Sequence, residues 1–216
     1  GASSIQADAL KEQLSNQGVR YALASYVDLH GVCKAKAVPL SHLGQMLAGS
    51  ELFTGAALDG VPQEVSDDEV AAVPDPASAT ILPWKPDLVW MASTLHLHGE
   101  PFAACSRNIL QRVKDQAAAM GYRFNLGIET EFFVLRRDAQ GKAVPLSPRD
   151  NLDKPAYDVR TLLDNLPWLD DLVSAMNQLG WGVYSFDHED GPGQFEIDFD
   201  YADVLTMADR LTFFKL

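Results

Sequence analysis

Gly127-Ile-Glu129-Thr-Glu131-Phe-Phe133 and His188-Glu189-Asp-Gly-Pro-Gly-Gln-Phe-Glu196 are the two stretches on which the reading of this chain turns. Strand side chains alternate between faces, so Glu129 and Glu131 point one way while Ile128, Thr130, Phe132 and Val134 point the other. In the second stretch Phe186 and His188 alternate with Asp187 and Glu189. Gly191-Pro-Gly193 then breaks the strand, and Gln194, Glu196, Asp198 and Asp200 alternate with Phe195, Ile197 and Phe199. The pattern predicts one acidic strand, then a strand, a tight turn or bulge, and a second acidic strand.

Carboxylates brought to one spot repel, and the cost is relieved by protonation, by a basic partner or by a cation. Neither stretch contains Lys or Arg. Arg136 and Arg137 follow the first pair only where its strand is expected to end. Oxygen-only donors suit a hard ion, Mg²⁺ or Mn²⁺. Each pair taken alone is equally what a solvated acidic hairpin would show, so the two stretches carry weight only together.

Together they resemble the metal-binding strands of the glutamine synthetase family: E-x-E followed by two aromatic residues, then E-x-x-P-G-Q-aromatic-E. Upstream, Ser66-Asp67-Asp-Glu-Val-Ala-Ala-Val-Pro74-Asp75 is similar to the family's S-D-x-x-x-x-P-D stretch. Pro101-Phe-Ala-Ala-Cys-Ser106-Arg107-Asn-Ile-Leu110 is similar to the entry into its catalytic domain. Ala202-Asp203 and Lys215 resemble the helix after the second glutamate pair, so recognisable pieces run from about Tyr26 to Leu216.

The resemblance implies an α+β chain. A small β-grasp domain with an N-terminal helix occupies residues 1–104, and the first, incomplete part of the glutamine synthetase catalytic α/β domain occupies 105–216. It also implies an ATP-dependent ligase that makes a γ-glutamyl amide from glutamate and ammonia, or a small amine, through γ-glutamyl phosphate. ATP is a substrate and Mg²⁺ or Mn²⁺ the cofactor. Carried over position by position, Glu131, Glu189 and Glu196 match the ligands of one metal, and Glu129 matches one ligand of a second. Asp67 matches the aspartate that binds and deprotonates ammonium across a subunit interface of a homo-oligomeric ring.

Competing readings of single residues are plainer. Asp67 in Ser66-Asp67-Asp68-Glu69 also fits a solvated turn or a helix cap. His188, beside a proposed ligand, could touch nucleotide or metal but, like Arg107 and Lys215, reads more simply as structural, and Lys34 and Lys36 read as the outer face of an edge strand. The family's remaining ligands, a histidine and a glutamate, are expected beyond Leu216, which implies that these 216 residues alone make no amide. A non-catalytic relative, structural or regulatory, is the alternative; retention of four costly carboxylates argues against it.

Composition sets limits. With 47% hydrophobic and 22% charged residues, the chain is ordinary for one or two globular cores. A net charge of −13 disfavours nucleic acid and anionic membranes as partners. Two cysteines, Cys33 and Cys105, give no disulfide framework and no zinc spacing, which suits a reducing cytoplasm. No apolar run reaches the about 18 residues of a membrane span, and no leader pattern opens the chain.

Local signals supply the elements. A helix is expected from about Ala7 to Gln17, stopped by Gly18. Strands follow at 19–28 and 32–38 around a turn at Leu29-His30-Gly31. Ser41 opens a short helix that ends near Gly49, and further strands are expected at 79–82 and 88–94. Ser106 is read as the cap of a helix carrying Ile109, Leu110, Val113, Ala117 and Met120 to Gly121. After a polar loop over 137–155, Leu162, Leu163, Leu166, Leu169, Leu172, Val173, Met176 and Leu179 mark another helix, with Pro167 as a candidate break. Those apolar positions, with Trp168 and Trp181, are expected in the core.

Overall fold

The structure is a computed structural model and describes residues 3–216. In chain order the elements are α1 (Ser4–Asn16), β1 (Tyr21–Val27), β2 (Cys33–Pro39), α2 (Leu43–Leu47), β3 (Glu51–Phe53), β4 (Val70–Pro74), β5 (Thr80–Leu82), β6 (Lys85–Leu97) and β7 (Glu100–Pro101). These are followed by α3 (Ser106–Ala119), β8 (Asn125–Leu126), β9 (Glu129–Phe133), β10 (Leu135–Arg137), β11 (Ala143–Pro145), α4 (Val159–Gln178), β12 (Val183–His188), β13 (Gln194–Phe199), β14 (Ala202–Asp203) and α5 (Val204–Phe214). They divide into two compact units, residues 1–125 with 203–216, and residues 126–202. Spatial compactness thus groups α3 and α5 with the N-terminal strands, whereas the sequence pattern changes near residue 104.

The first unit is a mixed sheet in the order β2-β1-β6-β4-β3, with β5 and β7 pairing with β6. β1 and β6 run parallel, with Tyr21 opposite Leu88, and β1 and β2 form the expected hairpin. Its turn is fixed by Asp28, whose carboxylate accepts the N–H groups of His30 and Val32, both at 2.9 Å. Gly31 supplies the positive φ of 75°. Alternate residues Ala22, Ala24 and Tyr26 of β1 are buried in one cluster with Val89, Met91 and Leu95 of β6, Leu43 and Met46 of α2, and Leu14 of α1. The opposite face of the same strands, Ser25, Trp90 and Ala92, meets α3 and α5.

Several boundaries differ from expectation for identifiable reasons. α1 begins at Ser4, three residues earlier than expected, because Ser3 and Gln6 form a reciprocal capping box. α3 is capped at Cys105 with no side-chain cap; Ser106 is already its first residue. Of its apolar positions, Ile109, Val113 and Met120 are exposed.

The second unit is the antiparallel sheet β12-β13-β9. One face carries Thr130, Phe195, Ile197 and Phe199, all buried. α4 lies on that face: the Trp168 ring stands edge-on to Phe195 at 5.2 Å and to Phe132 at 6.1 Å, and Leu169 and Met176 are buried. Leu163 and Leu166, expected in the core, are exposed. Pro167 does not break α4. Its ring leaves the carbonyl of Leu163 without a helical donor, and that carbonyl belongs to an exposed residue on the wet side of the helix. The loop over 137–155 contains a hairpin of its own, β10 with β11. Among the described residues no helix is long and apolar enough to cross a membrane.

Candidate metal centre

β9 and β13 pair so that Glu131 lies opposite Glu196 and Glu129 opposite Asp198; β12 places Asp187 opposite Glu196 on the other side. Directly opposed residues share a face of the sheet. The face opposite the packed core therefore carries Glu129, Glu131, Asp187, Glu196 and Asp198. Glu189 follows β12 directly and continues its alternation.

Of the four glutamates singled out in the sequence, three converge. Oxygens of Glu131, Glu189 and Glu196 lie within 4.8 Å of one another, a spacing at which one cation can touch all three. Glu129 shares the face but not that cluster. Asp67 belongs to the other unit, where it is exposed and its carboxylate accepts the Glu64 N–H at 2.7 Å, closing a turn.

Asp187 and Asp198 are the site residues that the sequence reading passed over. Each has one carboxylate oxygen that is buried and meets no hydrogen-bond donor among the described residues. The signal was present, since both continue the alternation of Glu189 and Glu196, yet no motif drew attention to them. Their effect is electrostatic. Burial, then the charges of Asp198, Glu189 and Asp187, push the Glu196 carboxyl up to about 7. Burial, then Glu189 and Asp198, raises Asp187 as well. A patch that holds a proton near neutrality is one that a divalent cation relieves, and its all-oxygen donor set fits Mg²⁺ or Mn²⁺.

The turn between β12 and β13 is tied to the glutamates by hydrogen bonds. Glu189 donates its N–H to the Gln194 carbonyl at 2.9 Å. The Gln194 side chain accepts the Gly191 N–H and donates to Glu131 Oε2, each at 2.9 Å. Gly193 sits at φ 80°, and a Cβ there would come within 3.0 Å of Leu135 Cδ2. Glycine meets both constraints without strain.

Arg107, read as structural, is so. Its guanidinium grips Asp209 through two bonds of 3.0 and 2.9 Å and reaches Asp75 at 3.0 Å. Lys215 likewise donates to the Gly31 carbonyl. Cys105 is buried and Cys33 partly so, and both are free thiols.

The site is an acidic strand pair on a mixed α/β chain, and similarity identifies the family. Residues 103–216 match the glutamine synthetase catalytic domain, and the chain belongs to the glutamine synthetase family. It is 37% identical over 204 residues to glutamate--methylamine ligase of Methyloversatilis universalis, covering 94% of this chain and 46% of that one. It is 35% identical over 202 residues to glutamine synthetase of Rhizobium leguminosarum bv. phaseoli, covering 93% and 45%. The chain spans about half the length of the curated relatives it matches. Among solved structures, a GmaS/ADP complex superposes with a TM-score of 0.90 at 38% identity over 95% of this chain and 47% of that one. A glutamine synthase homolog superposes with a TM-score of 0.73 at 23% identity, a likeness of fold, over 92% and 47%.

Proposed function

We propose that this chain is the N-terminal part of an ATP- and metal-dependent ligase that joins glutamate to ammonia or a small amine through γ-glutamyl phosphate. The convergence of Glu131, Glu189 and Glu196 within 4.8 Å carries this reading. In it residues 1–104 are the β-grasp domain and 105–216 the first portion of the catalytic domain.

The three glutamates hold one Mg²⁺ or Mn²⁺, and Glu129 contributes to a second. A divalent ion held there would supply charge neutralisation for a polyphosphate and a carboxylate brought together for transfer. The chain's own residues do the rest. Gln194 orients Glu131 through its amide, the 189–194 turn fixes the separation of Glu189 from Glu196, and Asp187 and Asp198 set the negative field around them. Asp67 is assigned to the ammonium site of a neighbouring subunit in a homo-oligomeric ring. The 216 residues on their own are expected to make no amide.

The similarity to a glutamate--methylamine ligase favours a small amine over ammonia as acceptor. Expressing the uninterrupted reading frame and comparing γ-glutamyl amide formation from ammonia, methylamine and a diamine tests the proposal. No amide from any acceptor, with Mg²⁺, Mn²⁺ and ATP present, rejects it.

A further inference from the structure

Behind the acidic face lies a polar pair that neither the sequence motifs nor the family resemblance assigns. His188 is fully buried and Asp150 nearly so. Asp150 Oδ2 stands 2.7 Å from His188 Nε2 and accepts the Gly193 N–H, also at 2.7 Å. On its other side the imidazole places Nδ1 2.6 Å from the carbonyl oxygen of Glu189. The His188 carbonyl in turn accepts the Tyr157 N–H at 2.9 Å.

Each ring nitrogen therefore faces an oxygen. A carbonyl oxygen only accepts, so Nδ1 donates to Glu189, and Nε2 and Oδ2 share a hydrogen bond. Edge-on packing against Phe195 at 5.1 Å fixes the plane of the ring. Burying such a pair is costly unless its hydrogen bonds are made, and here they run to the two ends of the turn: Glu189 at its start and Gly193 near its close. Glu189 and Glu196, whose oxygens must stay within 4.8 Å of each other and of Glu131, flank that turn.

We infer that Asp150, acting through His188, is a positioning residue for the metal centre: it straps the 189–193 backbone so that Glu189 is held at coordinating distance from Glu131 and Glu196. The inference rests on the metal-centre reading of those three glutamates. Asp150 touches neither the cation nor a substrate. Its effect is on how far the ligand set must reorganise on binding, and loss of such outer partners typically weakens metal affinity by about 10- to 100-fold.

The test is Mn²⁺ affinity, read from the paramagnetic resonance signal of free Mn²⁺ during titration of the chain. Asp150→Asn is expected to weaken binding by about 10- to 100-fold. Leu169→Ala, which empties a buried position on α4 of the same unit, is expected to bind as the parent does at temperatures well below its unfolding. His188→Asn, which keeps a donor for the Glu189 carbonyl but loses Asp150, provides a second variant should Asp150→Asn fail to fold, and it too is expected to bind more weakly. Parent-like affinity in a folded Asp150→Asn or His188→Asn protein overturns the inference, as does an equal loss in Leu169→Ala. Glu131→Ala and Glu196→Ala separate the two levels. If both bind Mn²⁺ as the parent does, the metal-centre reading falls and the strap's role with it; if both lose binding while Asp150→Asn does not, only the strap is wrong.

Discussion

Glu131 on β9 and Glu196 on β13 are direct cross-strand partners, two like charges in a position where proteins ordinarily place opposite ones. Such a pair destabilises a sheet by about 0.2–1 kcal/mol, and a cation reverses the sign. Glu131→Gln is therefore expected to make the chain slightly more stable in chelator and less stable than the parent in saturating Mn²⁺, because ligand binding stabilises only a folded state that can hold the ion. Urea unfolding in the two conditions checks this. The same order of stability in both removes the charge argument.

The acidic face also sets a pH dependence. Burial and three neighbouring carboxylates raise Glu196 to about 7, above its ordinary value of 4.5. Between those two values the folded chain binds more protons than the unfolded one, so the metal-free chain loses stability as pH rises from about 4.5 to 7. Cation binding must displace that proton, so Mn²⁺ affinity is expected to climb through the same window and level off above it. Glu196→Gln should flatten the stability profile in chelator. A slope that persists unchanged in this variant assigns the effect to other groups.

Gly193→Ala adds a Cβ at φ 80°, within 3.0 Å of Leu135 Cδ2 and 3.3 Å of the Val134 carbonyl oxygen. Strain of this kind costs about 1–3 kcal/mol, and the displaced turn carries the N–H that Asp150 accepts. A lower unfolding midpoint together with weaker Mn²⁺ binding is expected. By contrast Gly121→Ala, at φ 86° with open space around it, should affect stability alone.

The half of the chain that carries the acidic strands was more legible than the sheet before it. The period-2 alternation of Glu129 with Glu131, and of Gln194 with Glu196, survives into the structure because one face of β9 and β13 packs against α4 and the other does not. Alternation of that kind is a one-dimensional record of burial. The parallel pairing of β1 with β6 left no comparable trace, since the partners are more than sixty residues apart and both are nearly continuous apolar runs. Asp150 was invisible for the same reason: it sits 38 residues from His188, in a segment whose composition reads as loop. Pro167 misled in the other direction, because a proline costs a helix little when the carbonyl it orphans can meet water.

Arg107 and Asp209 offer a test of the first unit that is independent of any metal. The guanidinium is largely buried, with 9% of its side chain exposed against 16% for Asp209. Burial alone pushes the Asp209 carboxyl up, and Arg107 works against that shift. For Arg107 itself, burial works to lower the pKa, but the bonds to Asp209 and Asp75 outweigh it. Removing one partner leaves the other as an uncompensated buried charge. Arg107→Met is accordingly expected to cost about 3–5 kcal/mol, more than the same change at an exposed pair. Arg107→Lys should recover only part of the loss, since a point charge cannot make the two parallel bonds to Asp209 and still reach Asp75. The double variant Arg107→Met, Asp209→Leu removes both charges and should recover most of the stability, because a well-packed apolar pair is often as stable as the buried ion pair it replaces. A double variant no better than Arg107→Met, in denaturant melts of all three proteins, shows instead that α3 and α5 are joined here by shape that apolar side chains cannot restore.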